Sequence, residues 1–347
     1  MNKYICIGGF LFFLSLCCGQ QPPNPGFEQW TGISTSSPKD WHSYDEAAGI
    51  FSGTASNKSG GKNPALERTN GHSGKYAVVI RCNKIIGVAA NGALTCGRVY
   101  MGAISASSPK NYCYTDRNNG YCCHFTNRPD SVYFWAKFKM KGKETASAKA
   151  HLHTDCDFRD FVDIGSKANI ASAILYFQDK GNGQWHQYKQ AFKAYDKPQK
   201  ATAEQAPIPT VSQWTQKPSY LLFSFTTNRH VMKGNQGDAL YIDDIQFVYN
   251  KRLSMIFLDN EPMPFFDAET NEYIFYLPQI LTNQLPTVTA ETESPRAKIV
   301  IRQATIENPE AEIQVLHDDV VKENAQPKTY KILFLPQSLQ FISKNSD

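Results

Sequence analysis

Past its first twenty residues this 347-residue sequence holds no apolar run of membrane-spanning length, and past residue 160 it holds no cysteine. A spanning helix needs about 20 consecutive apolar residues. The chain without its leader is therefore expected to be soluble, or held to a membrane only at its N-terminus. Charge of one sign is lacking too: 36 Lys and Arg face 32 Asp and Glu for a net +4, with no basic stripe. That excludes nucleic acid as an expected partner. Periodic runs of helix formers, internal repeats and low-complexity tracts are scarce or absent. So are a G-x-S-x-G nucleophile elbow, a Walker loop and an H-E-x-x-H zinc motif, which removes the ready-made signatures of several enzyme classes.

What is present begins with an export-type leader. Lys3 supplies a positive start, Ile5 to Leu16 an apolar core, and Cys17 and Gly19 the small residues before a cut ahead of Gln20. Residues 1–19 read as a signal peptide on that basis. A lipoprotein signal competes, with Cys17 in the small-residue place before Cys18. Both readings export the protein, as an outer-membrane surface lipoprotein or as a secreted or periplasmic one. Six cysteines follow the leader: Cys82, Cys96, Cys113, Cys122, Cys123 and Cys156. An even set in an oxidising compartment points to disulfides, with Cys113 to Cys122 or Cys123 the first expectation. Free thiols acting as small buried apolar groups are the alternative.

Aromatic residues make up 12% of the chain, and strand signals run nearly from end to end. Lys75–Lys84, Leu94–Met101, Ser131–Met140, Ala173–Phe177, Tyr220–Thr226 and Leu240–Tyr249 are apolar and rich in β-branched or aromatic residues. Clusters such as Ser59-Gly60-Gly61, Asn118-Asn119-Gly120 and Gly181-Asn182-Gly183 punctuate them. Within Ser131–Met140, Val132, Phe134, Ala136, Phe138 and Met140 share one face. Tyr133, Trp135, Lys137 and Lys139 share the other, as period-two alternation requires. Lys197–Lys217, with its prolines, reads as a loop. Many short strands without helical crossovers predict an all-β sandwich. All five tryptophans and all cysteines precede Asn250. Beyond it, Ser254–Leu258, Tyr273–Leu277, Ala297–Ile301, Glu312–Leu316 and Thr329–Leu335 fit a smaller immunoglobulin-like sandwich over 251–347.

Several segments in order resemble one bacterial family: NPGFEQW (24–30), LTCGRVYMG (94–102), NYCYTDR (111–117), FTNRPDSVYFWAKF (125–138), HLHTDCDFRD (151–160) and GDALYIDDIQFVYN (237–250). The resemblance is to the carbohydrate metabolism domain family of exported Bacteroidetes proteins; it covers roughly Asn24 to Tyr249 of a domain taken as residues 20–250. It implies a jelly-roll β-sandwich similar to carbohydrate-binding modules, and a polysaccharide or oligosaccharide as partner, alongside other surface glycan-utilisation proteins. The tail, with SMIFLDNEPMPFFDAETNEYIFYLP and KTYKILF, resembles bacterial cadherin-like immunoglobulin folds. The six cysteines depart from the family's usual pattern.

Three constellations can carry chemistry. Carbohydrate-binding jelly rolls often hold a structural Ca²⁺ between an N-terminal Asn-x-Gly-Phe-Glu setting and a C-terminal Asp pair. The resemblance therefore implies Glu28, Asp243 and Asp244 as metal ligands completed by carbonyls. Asp243 shares parity with Tyr241, Ile245 and Phe247, an apolar-looking face on which a carboxylate must be paired, hydrogen-bonded or metal-bound. Second, an extended reading of His151–Asp160 puts His151, His153, Asp155 and Asp157 on one side. The series nearly matches a metallo-β-lactamase signature, but Cys156 stands in the last histidine's place; a ligand-contacting rim of Asp155, Asp157 and Arg159 is the preferred reading. Third, Tyr133 with Trp135, and Tyr112 with Tyr114, offer aromatic platforms for sugar rings, with Arg98 and Arg128 as polar neighbours.

The leading expectation is thus an exported or surface-anchored carbohydrate-binding protein. A glycoside hydrolase drawing two carboxyls from Asp155, Asp157 and Asp160 is one alternative. A cell-surface adhesin or assembly protein acting through its tail is the other.

Overall fold

The computed structural model describes residues 19–31, 37–53, 65–85, 88–195, 214–277, 284–320 and 326–336. The leader at residues 1–18, the Ser59-Gly60-Gly61 turn and residues 197–213 of the expected loop lie outside the described residues. The rest forms two compact units that divide between Tyr249 and Asn250.

In the first unit the main strands are β1 (Leu66–Asn70), β2 (Tyr76–Arg81), β3 (Ala93–Thr95), β4 (Arg98–Met101), β5 (Asn111–Tyr114), β6 (Ser131–Lys139), β7 (Ala146–His153), β8 (Asn169–Phe177), β9 (His186–Ala191), β10 (Tyr220–Thr226) and β11 (Ala239–Val248), with a short pair at Asn83–Ile85 and Val88–Ala90. One sheet has the order β1-β2-β11-β6-β9. The other runs from Lys193–Ala194 through β8-β7-β10 to β3, with Cys123–His124 also paired to β10. Counting β2, β3, β6, β7, β8, β9, β10 and β11 as first to eighth, the sheets read 1-8-3-6 and 2-7-4-5, antiparallel throughout. That order is the two-Greek-key jelly roll. The expected fold is therefore written in the strand pairing of this chain.

Alternation explains how the sheets meet. Val132, Phe134, Ala136 and Phe138 of β6 face inward, as do Ala148, Ala150 and Leu152 of β7 and Leu221, Phe223 and Phe225 of β10. Rings interlock there: Phe134 meets Phe225 edge-on at 5.1 Å and Phe177 at 5.2 Å. Each fully buried Phe contributes about 1.5–3 kcal/mol through removal of its apolar surface from water. Phe27 and Trp41, both wholly buried, pack together at 5.5 Å, and the Trp41 indole N–H donates to Pro23 O at 2.8 Å.

Two expected strands need correction. Leu94–Met101 is not continuous: it breaks at Cys96-Gly97, where the chain leaves the sheet to begin the separate β4–β5 ribbon. A Cβ on Gly97 would lie 2.3 Å from Tyr114 O, so the crossing requires glycine. The parity expected in β11 also fails. The register slips between Asp243 and Gln246, with Asp244 at φ 47°. This bulge flips the alternation, so Ile242, Ile245 and Phe247 face the core while Asp243, paired with Trp135, faces outward.

The second unit contains β12 (Leu253–Leu258), β13 (Glu272–Leu277), β14 (Val288–Thr292), β15 (Ala297–Arg302), β16 (Glu310–His317) and β17 (Lys328–Pro336). Glu261–Pro262, β12 and β14 form one sheet; β13-β17-β16-β15 forms the other, with β13 parallel to β17. Ala311, Ile313 and Val315 alternate inward against Tyr330, Ile332 and Phe334, around an immunoglobulin-like two-sheet core. Among the described residues no helix is long and apolar enough to cross a membrane.

Candidate functional site

Every residue of β7 is buried, although only Ala146, Ala148, Ala150 and Leu152 meet the sandwich core. The other face carries Ser147, Lys149, His151 and His153, a polar stripe at period two. What buries it is the β4–β5 ribbon and the segment after β7, laid over the outer side of the sheet. Thr115 Oγ1 lies 2.9 Å from His153 Nε2, Thr115 N donates to Phe158 O at 2.9 Å, and Asp160 N donates to Cys113 O at 2.9 Å.

Between cover and sheet lies a cavity of about 190 Å³. Tyr100 and Tyr112 line it from the ribbon, stacked on each other at 5.0 Å and 11°. Tyr114 meets both edge-on, at 5.9 and 5.8 Å. Ser147 and Lys149 of β7 contribute to the sheet side, Asp160 and Phe161 come from the covering segment, and Asn111, Asn228 and Arg229 add polar groups.

The charged base of the cavity is a buried cluster. Lys149 Nζ lies 3.4 Å from Asp160 Oδ2 and 3.4 Å from the Phe161 ring centre. Asp160 Oδ1 lies 3.2 Å from His151 Nε2 and accepts from Phe161 N at 2.8 Å. Burial alone would raise the Asp160 carboxyl, but Lys149 and His151 outweigh it and hold it well below the usual carboxylate range. Burial pushes the Lys149 ammonium pKa down, and Asp160 resists that shift without cancelling it. Burial also lowers His153 to about 4, leaving it neutral near pH 7.

The residues expected to act together separate into several places. Tyr112 and Tyr114 belong to the ribbon, but only Tyr112 lines the cavity. Arg159 is held by Asp163 through two bonds of 3.0 Å, near the face of Tyr112. Arg98 is tied to Asp116 at 2.9 Å and to Glu46 O at 2.7 Å, and Tyr114 donates to the same Asp116 carboxylate at 2.8 Å. Arg128 donates to Thr215 O at 3.0 Å. Tyr133 and Trp135 are on the outer face of the other sheet. Tyr133 bonds Gln246, and Trp135 is stacked by the His72 ring at 3.9 Å and 15°.

The extended reading of 151–157 is corrected, because β7 ends at His153. His151 and His153 are buried under the ribbon, while Asp155 and Asp157 stand outside and share Arg117, at 2.5 and 2.7 Å. Asp160 is buried with Lys149 and His151 instead of joining them. The three carboxyls therefore do not form one opposed pair.

Glu28, Asp243 and Asp244 gather around the 71–76 turn. Glu28 Oε1 accepts from the backbone N–H of Lys75 and Tyr76, at 2.8 and 3.0 Å. Gly74, at φ 59°, lets the carboxylate approach, since a Cβ there would lie 2.3 Å from Glu28 Oε1. Asp243 accepts from His72 N at 2.7 Å and Asp244 N at 2.8 Å. Asp244 meets His72 Nδ1 at 2.7 Å and Ser73 Oγ at 2.7 Å. Burial, then the neighbouring Asp244 charge, raises Asp243 to about 7. Among the described residues no three His, Cys, Asp or Glu side chains are arranged to share a metal ion. As placed, the carboxylate oxygens of this set accept hydrogen bonds from the 71–76 turn.

The six described cysteines are free, so the expected Cys113 bridge is not formed. Cys113 is a buried residue of the ribbon itself, where burial raises its thiol to about 12. Sequence reasoning missed Tyr100, Lys149, Phe161 and Arg229. The alternation Ala-Lys-Ala-His-Leu-His in β7 carried the signal for Lys149; nothing local marked the others as neighbours.

No family model and no curated protein matches this sequence. Among solved structures it is similar to a non-crystalline cellulose-specific carbohydrate-binding module, CBM28, at 10% identity and TM-score 0.31, covering 66% of this chain and 95% of that one. The CBM22-1 xylan-binding domain of Paenibacillus barcinonensis Xyn10C is similar at 11% identity and TM-score 0.29, covering 67% and 97%. Bacteriophage CBA120 tailspike protein 4 is similar at 10% identity and TM-score 0.25, covering 53% of this chain but 17% of that one. What those proteins bind belongs to them; the jelly roll here rests on this chain's own strand order.

Proposed function

We propose that this chain is an exported carbohydrate-binding protein whose jelly roll seats one sugar ring in the cavity beneath the β4–β5 ribbon, with the second unit as a spacer or docking module. The observation that carries this reading is the cavity itself. Stacked tyrosines offer a flat apolar face, while Asn111, Asn228 and the Lys149–Asp160 pair offer hydroxyl partners. At about 190 Å³ it is smaller than the roughly 300–1,000 Å³ common for ligand sites, which favours a single residue of a glycan, taken end-on. Residues 3–19 and the resemblance to exported carbohydrate-metabolism domains support the compartment and the ligand class. Binding is favoured over hydrolysis because Asp155 and Asp157 are committed to Arg117 and Asp160 is a buried ion-pair partner.

The test is calorimetric titration of the full chain with mono- and oligosaccharides chosen from a glycan array. Tyr112→Ala is expected to weaken binding about tenfold or more, since one lost ring contact costs about 1.5–3 kcal/mol. Trp135→Ala is expected to stay within about twofold, because His72 already covers one face of the indole. The reverse ranking moves the site to the other sheet. Release of reducing ends from the bound glycan replaces the binding reading with a hydrolase, and a blank array with folded protein ends it.

A further inference from the structure

Cys96 and Cys123 stand next to one another on a single edge of β10, and we propose that they form a disulfide closing the loop that carries the Tyr100–Tyr112 ribbon. The register places them there. Thr95 pairs with Ser224, and Cys96 N donates to Phe223 O at 3.0 Å, so Cys96 lies opposite Phe223. Cys123 pairs with Leu221. Directly opposed residues of an antiparallel pair project to the same face, and Leu221 and Phe223 both face the sandwich core. The two cysteines therefore share a face, two strand positions apart. That spacing is about 6.7 Å along the strand, inside the roughly 4.4–6.8 Å between Cα atoms that a disulfide spans.

The thiols already interact. The neighbouring Cys96 thiol, together with burial, holds Cys123 above its ordinary pKa. Cys96 in turn donates to Leu221 O at 3.5 Å and accepts from Phe223 N at 3.1 Å. Cys123 is the half-exposed member and Cys96 the buried one. With an external disulfide such as oxidised glutathione, the Cys123 thiolate attacks first, giving a mixed disulfide and one released thiol; Cys96 then displaces the second thiol. Two S–H bonds are broken and one S–S bond is made, while the external disulfide takes up two electrons and two protons. The bond ties the end of β3 to Cys123–His124 and fixes both ends of the segment that roofs the cavity.

The experiment is peptide mapping of the full chain after incubation with oxidised glutathione or with reductant, alkylation without reduction, and trypsin digestion. Ile85–Arg98 linked to Asn118–Lys137 is expected in the oxidised sample only. The link is expected to persist in Cys122→Ser and to vanish in both Cys96→Ser and Cys123→Ser. Oxidation is expected to raise the wild-type Tm by roughly 10 °C, with no such redox dependence in Cys123→Ser. Full alkylation of both peptides after oxidation of folded protein overturns the proposal. So does a link that uses Asn111–Arg117, which carries Cys113, or one that survives in Cys123→Ser. None of these readouts depends on sugar binding, so failure of the glycan reading leaves them interpretable.

Discussion

Replacing Asp160 by asparagine tests how the buried cluster under the ribbon is held. In the native protein Asp160 faces Lys149 Nζ at 3.4 Å and His151 Nε2 at 3.2 Å, all three side chains being nearly inaccessible. Asp160→Asn keeps the shape but removes the only carboxylate paired with Lys149 among the described contacts. Stranding one member of a buried ion pair costs about 3–5 kcal/mol, which for a unit of this size is a fall in Tm of roughly 10 °C. The sign of the pH response follows. Lys149 is already depressed by burial, and losing Asp160 depresses it further, so the folded variant binds fewer protons than its unfolded chain at alkaline pH. Stability then rises with pH where the unfolded state holds the extra proton, and the variant is expected to recover part of its loss between pH 7 and 9.5. Lys149→Met combined with Asp160→Asn removes both charges and is expected to be more stable than Asp160→Asn alone. Thermal and urea melts of the full-length variants at both pH values measure all of this. A loss under about 1 kcal/mol for Asp160→Asn, or a double variant no better than the single one, refutes the reasoning.

Further outcomes follow from the same contacts. Asp243 is raised from 3.8 to about 7, so the folded state holds a proton that the unfolded chain has released, and stability is expected to fall as pH rises from about 4 to 7. Asp243→Asn is expected to flatten that part of the Tm–pH curve, and an unchanged slope would count against it. Chelator and added Ca²⁺ are expected to leave Tm unmoved, because the Glu28, Asp243 and Asp244 oxygens are committed to the 71–76 turn. A Ca²⁺-dependent rise of several degrees would show that the turn rearranges around a cation.

How far the sequence carries depends on whether alternation survives locally. Ser131–Lys139 is legible because nothing interrupts its period of two: the burial of β6 follows the apolar residues one by one. β11 is not, because Asp244 adopts a left-handed backbone and inserts an extra position; from there the parity of Ile245 and Phe247 reverses, and Asp243 changes sides. β7 misleads differently. Its apolar face is mostly alanine, a weak strand signal, and its polar face is buried by a cover whose residues come from elsewhere in the chain. A stripe of Ser, Lys and His looks solvent-facing until the ribbon is placed on it.

The same placement explains why the aromatic residues were legible as candidates but not as a site. Tyr112, Tyr114, Tyr133 and Trp135 are close in sequence, and each sits on a regular strand whose outward face can be read. Which outward face belongs to which sheet is decided by the jelly-roll path, where most consecutive strands cross from one sheet to the other. The crossing at Cys96-Gly97 sends β4 and β5 over the sheet of β7 and β10, while β6 enters the opposite sheet. Tyr112 thereby comes to line one cavity with Lys149, and Trp135 comes to lie against His72. A contact set of that kind is fixed by long-range pairing, and no window along the chain contains it.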